Sequence, residues 1–161
     1  MQVWILALAG YFGDKERECK CSERQIQAYK NRISGPLLDR IDIHIEVPNV
    51  KFESFNEITE EPSSKIKERV NKARKIQMER YKQFEIYTNS ELTPKLIEHF
   101  CKLKSSSKNI LEQYFNKNKL SARSYSKVLK LARTIADLDG SKTIEDTHIL
   151  EAIRYRAMDK R

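Results

Sequence analysis

Apolar side chains in the C-terminal two thirds of this 161-residue chain recur at every third or fourth position, the period that gathers them on one face of an α-helix. Between residues 64 and 83, Ile66, Val70, Ala73 and Ile76 form such a row, with charges on the opposite side. Thr93-Pro94 opens a second helix with Leu96, Ile97, Phe100 and Leu103, and Ser105–Ser107 lead into a third with Ile110, Leu111, Tyr114 and Phe115. Ser121 is placed to cap a fourth helix that runs to about Leu138 and stops at Gly140. Thr143-Ile-Glu-Asp146 has the form of a capping box, with Asp where Glu or Gln is usual, and opens a fifth helix with Ile149, Ala152 and Ile153. Five amphipathic helices joined by short turns, in about 95 residues, predict a helical bundle.

The first third reads differently. Ser22 to Ile33 has helical composition with Ser22 as its cap, and Ser34-Gly35-Pro36 then breaks the chain and restarts a helical turn at Leu37-Leu38-Asp39-Arg40. Ile41, Ile43, Ile45 and Val47 alternate with Asp42, His44 and Glu46 up to Pro48, the clearest strand signal present. One strand makes no sheet, so this stretch predicts a remnant of a larger α/β domain. An acidic run with Glu53, Glu57, Glu60 and Glu61 closes at Pro62-Ser63 and reads as a linker. The predicted fold class is mainly α, a helical bundle preceded by a truncated α/β remnant with one strand.

Charge sharpens this division. Residues 61–161 carry 23 Lys and Arg against 13 Asp and Glu, whereas residues 1–60 carry 8 against 10. A basic C-terminal half suits a phosphate-rich partner, nucleotide or nucleic acid, and equally describes a solvated helical surface. No apolar stretch approaches the ~18 residues of a membrane span. The opening Met1–Gly10 lacks the basic start and cleavage site of a signal peptide, so a cytoplasmic protein is expected. Cys19, Cys21 and Cys101 make no disulfide framework. Cys19 and Cys21 are half of a four-ligand zinc site at best, and no metal is expected.

No Gly-x-x-x-x-Gly-Lys-Ser/Thr loop is present to cradle phosphates, and no apolar strand ends in Asp-Glu. The chain is therefore not expected to hydrolyse ATP, or to bind a cofactor, by itself. What remains is arginine. Arg40 stands between a short helix and the predicted strand, and Arg123 stands in the first turn after Ser121. A cation at a helix start opposes the helix dipole unless an anion neutralises it, and a phosphate would be such an anion. Spacing alone leaves both arginines open to a plain surface role.

Longer motifs narrow the choice. Tyr11-Phe-Gly-Asp-Lys-Glu-Arg-Glu-Cys-Lys-Cys-Ser22, Arg32-Ile-Ser-Gly-Pro-Leu-Leu-Asp-Arg-Ile-Asp42, Ser121-Ala-Arg-Ser-Tyr-Ser-Lys-Val-Leu-Lys-Leu-Ala-Arg-Thr-Ile-Ala-Asp-Leu138 and Glu151-Ala-Ile-Arg-Tyr-Arg156 occur in order. They resemble the C-terminal part of the magnesium-chelatase-like AAA+ ATPases of the ComM/YifB type. The resemblance implies that residues 11–50 are a remnant of the ATPase core, 51–63 a linker and 64–161 a helical lid. It implies that Arg40 is an arginine finger offered in trans to the ATP of a neighbouring subunit, that Arg123 is the sensor-2 arginine reaching that nucleotide's γ-phosphate from the lid, and that Arg133 serves the lid's structure. For the intact protein it implies ATP and Mg²⁺ as cofactors. Its implied partners are an ATPase core and neighbouring subunits of a hexamer, together with DNA as the substrate of a helicase or branch-migration motor linked to recombination and natural transformation.

Upstream of Tyr11 the family has Asn-Pro-Cys-Pro-Cys-Gly, where this chain has Val3-Trp-Ile-Leu-Ala-Leu-Ala-Gly10. A reading-frame slip near Gly10 would account for the difference, since codons for Ile5–Gly10 exist that read Pro-Cys-Pro-Cys-Gly two bases later. Residues 1–10 are thus expected to be non-native, and the chain to be a fragment. An alternative from another class is a free-standing basic helical module that binds nucleic acid, although no recognition motif stands out.

Overall fold

The computed structural model describes residues 18–32, 34–45, 47 and 61–156. The segments expected to be non-native (1–10) and most of the expected linker (51–63) lie outside them. The chain divides into two compact units, residues 1–41 with 45–59, and residues 42–44 with 60–161.

Among the described residues the first unit holds two short helices, α1 (Glu23–Lys30) and α2 (Gly35–Leu38). Ser22 caps α1 as its sequence predicts: Gln25 N–H donates to Ser22 Oγ at 3.3 Å and Ser22 N–H to Gln25 Oε1 at 2.9 Å, a reciprocal box that satisfies two amides at the helix start. The helix ends at Lys30, three residues short of the expected Ile33. Pro36 sits in the first turn of α2, where its missing N–H costs nothing.

The second unit is the predicted bundle: α3 (Ser63–Arg80), α4 (Pro94–Phe100), α5 (Ser105–Asn118), α6 (Ala122–Leu138) and α7 (Asp146–Arg154), with a 3₁₀ turn at Asn89–Glu91. Helix α6 is its axis and packs against α3, α4, α7 and the 3₁₀ turn. Val128, Leu129, Ala132, Ile135 and Ala136 supply its buried stripe and meet Tyr81, Leu92, Ile97, Leu111, Ile144, Ile149 and Ala152 from the surrounding elements. Gly140 closes α6 in a left-handed conformation at φ +72°. Gly140 N–H bonds to Asp137 O at 3.2 Å and Ser141 N–H to Ala136 O at 2.8 Å, the paired bonds of a Schellman end. Among the described residues no helix is long and apolar enough to cross a membrane.

Two expectations are corrected. The cap of α7 is Glu145, not Thr143: the Glu145 side chain takes the backbone of His148, and His148 Nδ1 accepts the Glu145 N–H at 3.0 Å. Thr143 instead donates its hydroxyl to Glu145 Oε1 at 2.6 Å. The strand expected over 41–47 is also absent among the described residues, where β pairing is limited to a single parallel bridge, Leu103 to Ile144. Ile43, Ile45 and Val47, expected to face a sheet, are exposed, while His44, on the polar side of the alternation, is buried. An alternating pattern becomes a strand only when a neighbour supplies N–H and C=O groups, and here the His44 N–H bonds to the Tyr155 carbonyl at the end of α7, at 2.7 Å.

Candidate functional site

The start of α6 is the most built part of the surface. Ser121 caps it, its Oγ accepting the Ser124 N–H at 3.2 Å, so the first turn is fixed in direction. Arg123 lies in that turn with its side chain exposed. The next residue is buried: Ser124 is 2% exposed and Arg156 fully buried, and an Arg156 guanidinium nitrogen donates to Ser124 Oγ at 3.3 Å. The Tyr114 hydroxyl donates to the Arg156 carbonyl at 3.2 Å, tying α5 to the end of α7. Phe115 and Tyr125 meet edge to face with centroids 5.6 Å apart, closing the corner between α5 and α6. An exposed guanidinium in the first turn of a capped helix is a donor suited to an oxyanion.

Arg40 follows α2 in the first unit. It is exposed, and its guanidinium donates to the Pro36 carbonyl at 3.1 Å, one helical turn back. Arg40 and Arg123 thus fall in different units, each placed on its own element, and both end at solvent.

Arg133 has no such freedom. Its side chain is buried in α6, where it donates to Asp137 Oδ1 at 3.2 Å, to the Lys142 carbonyl at 3.0 Å and to the Ser141 carbonyl at 2.6 Å. Arg80, from the end of α3, grips both oxygens of the same Asp137, one of them at 2.9 Å. Asn89 donates to Asp137 Oδ2 and to Thr134 Oγ1, each at 2.9 Å. Burial works against the charge on Arg80, but its interactions with Asp137 and Tyr81 together outweigh it and raise the guanidinium pKa. Burial dominates at Arg133 and lowers its pKa. This network lies fourteen residues along α6 from Arg123, about 21 Å at 1.5 Å per residue, and serves the bundle rather than the exposed arginine.

Cys19 and Cys21 are partly exposed free thiols. Among the described residues no group of three or more His, Cys, Asp and Glu could hold a metal ion. Cys101 is buried, which pushes its thiol pKa up to about 11 and leaves it protonated and unreactive at neutral pH. Four residues stand out that the sequence did not single out for the site: Ser124 with Arg156, bonded at 3.3 Å, and Lys127 with Asp42, an ion pair at 2.7 Å. The signal for Lys127 was its position four residues after Arg123, on the same helical face.

Comparison with known proteins gives the family. The family model described as "Magnesium chelatase, subunit ChlI C-terminal" matches residues 60–156, the whole helical bundle. The chain belongs to this family. The companion model, "Magnesium chelatase, subunit ChlI", matches residues 5–55. Competence protein ComM of Haemophilus influenzae is 45% identical over 141 residues, which cover 86% of this chain and 27% of that protein. The YifB protein of Escherichia coli is 38% identical over 143 residues, covering 88% of this chain and 28% of YifB, and that of Salmonella typhimurium is 35% identical over the same shares. This magnesium-chelatase-like chain therefore spans about a quarter of the length of the curated relatives it matches.

Proposed function

We propose that this chain is the sensor-and-finger portion of an AAA+ ATPase of the ComM type, a part that responds to ATP held by another polypeptide segment and does not hydrolyse it alone. Arg123 is read as the sensor-2 arginine, reaching the γ-phosphate from the helical lid, and Arg40 as the finger that enters the nucleotide site of a neighbouring subunit in a hexamer. The observation that carries the reading is the start of α6, where Ser121 caps the helix and Arg123 stands exposed in its first turn. A guanidinium placed against a transferring phosphoryl group neutralises charge that grows in the transition state, and a finger supplied in trans is worth roughly 10³–10⁵ in rate. ATP and Mg²⁺ would be held by the family's core, since this sequence has no phosphate loop. The competence name of the relative suits DNA as the substrate of the whole motor, working in the cytoplasm.

The test grafts this chain onto the ATP-binding part of its ComM relative. The chimera should hydrolyse ATP, and Arg40→Ala should lower its kcat by about 10³-fold or more. Mixing the Arg40→Ala chimera with one that keeps Arg40 but has an inactivated phosphate loop should restore hydrolysis, because each then supplies what the other lacks. No rescue, or hydrolysis by the 161-residue chain alone, refutes the reading.

A second reading has its own support in α3. Lys65, Lys67, Arg69, Lys72, Arg74 and Lys75 are exposed there, against Glu68 and Glu79. Lys65, Arg69 and Lys72 share one face of α3, and a nucleic-acid-binding helix of this kind predicts duplex DNA affinity that falls between 50 and 200 mM salt, by about 40-fold for three phosphate contacts. Affinity insensitive to salt counts against it.

A further inference from the structure

Arg156 follows Tyr155, the C-cap of α7, and is fully buried. A guanidinium withdrawn from water costs free energy that an apolar side chain of similar length would not, unless its donors meet acceptors. One of its nitrogens donates to Ser124 Oγ at 3.3 Å. Its carbonyl accepts the Tyr114 hydroxyl at 3.2 Å, so Arg156 is itself held from α5. All of these residues lie in the helical unit.

The first turn of α6 is built around the residue that Arg156 grips. Ser124 is the third residue of that helix; its amide donates to the Oγ of the cap Ser121 at 3.2 Å, and the Tyr125 amide donates to the Ser121 carbonyl at 3.1 Å. Each of the two residues after Arg123 is tied to a different helix. Ser124 is held by Arg156 from the end of α7, and Tyr125 by the Phe115 ring of α5, with centroids 5.6 Å apart. Helix ends fray, and a side-chain bond from outside holds the turn from which Arg123 departs. The planar fork of a guanidinium supplies direction, which an apolar filler would not. We propose that Arg156 is a positioning residue for Arg123, acting through the Ser124 hydroxyl. A misplacement of about 1 Å in a site can cost about 10²-fold in rate, so play in this turn would be felt at the phosphate. This inference rests on the reading of Arg123 as the sensor arginine.

Two measurements test it. In the 161-residue chain, Arg156→Met, which keeps the length of the side chain, should speed hydrogen exchange of the Ser124 and Tyr125 amides about tenfold or more, and Ser124→Ala should do the same at Tyr125. In the ComM chimera, Arg156→Met and Ser124→Ala should each lower kcat about tenfold. Adding Arg156→Met to an Arg123→Ala chimera should change kcat by less than about twofold, because nothing is left to position. A merely structural arginine would cost the same factor in both backgrounds. If Arg156→Met does not fold, Ser124→Ala carries the same cycle. A full second loss in the Arg123→Ala background, or amide exchange unchanged in the variants, overturns the proposal. Should Arg123→Ala itself leave the chimera's rate unchanged, the sensor reading fails by itself, and exchange at Ser124 and Tyr125 still decides whether Arg156 holds the turn.

Discussion

Asp137 shows how one residue can hold a fold together without touching the function. Its carboxylate is buried and meets Arg80 from α3, Arg133 from its own helix and Asn89 from the 3₁₀ turn. Two guanidiniums on one carboxylate leave an excess positive charge inside, so the aspartate cannot be spared. Removing one partner of a buried ionic cluster leaves uncompensated charge and costs about 3–5 kcal/mol, much more than a surface pair is worth. Asp137→Ala should therefore shift the midpoint of urea unfolding down by an amount equal to about 3–5 kcal/mol, while Glu79→Ala on exposed α3 should stay within about 0.5 kcal/mol. A loss below about 1 kcal/mol for Asp137→Ala would mean that water, not Asp137, solvates the two arginines. The same residue explains why Arg133 resembles a motif arginine yet has no access to a phosphate.

Among the elements, α5 and α6 end by the same geometry with different residues. Gly140 takes the left-handed position after α6 at φ +72° and Lys119 takes it after α5 at φ 49°. Leu120 N–H reaches back to Phe115 O at 3.3 Å, as Ser141 does to Ala136. A side chain in that conformation costs about 1 kcal/mol that glycine does not. Lys119→Gly should accordingly stabilise the bundle by about 0.5–1 kcal/mol in chemical unfolding, and no gain would mean that the Lys119 side chain makes an offsetting contact. The elements also divide into those legible from sequence and those that were not. Helix α6 was legible because its cap, its apolar stripe and its terminal glycine all agree, and Arg123 came with it. The 3₁₀ turn was not: its capping box, Thr88 with Glu91, precedes no apolar run that would mark a helix. The 41–47 alternation misled because a strand is completed by a neighbour, and the described residues offer a helix end instead. The Asp42–Lys127 pair joins residues remote in sequence, and no local pattern announces such a contact.

At the scale of the molecule, the chain carries a net charge of +8, and that excess must be balanced against folding. Several carboxylates act as local counterweights. Glu145 caps α7 and pairs with Lys104, Glu91 accepts the amides of Tyr87 and Thr88, and Glu68 pairs with Lys72 at 2.9 Å. Each has its pKa lowered: Glu145 by its Lys104 bond, Glu91 by the Tyr87 amide and Glu68 by its Lys72 bond. A carboxylate with a depressed folded pKa contributes stability that is fully present above its unfolded value, near 4.5 here, and that disappears as pH falls through the folded value. Two of these groups also stand at helix starts, where their negative charge opposes the positive end of the dipole. Acid thus removes the caps and raises the net positive charge together. The melting temperature followed by circular dichroism should hold down to about pH 5 and fall as pH drops below the ordinary carboxylate value. Raising salt to about 1 M, where screening reaches only ~3 Å, should recover part of that fall by weakening self-repulsion. Glu145→Gln should lower the melting temperature at neutral pH and flatten the acid slope, since its share is already gone. A profile that is level down to about pH 3.5, or a Glu145→Gln variant as acid-sensitive as the parent, would show that the bundle is held by its apolar core without help from these carboxylates.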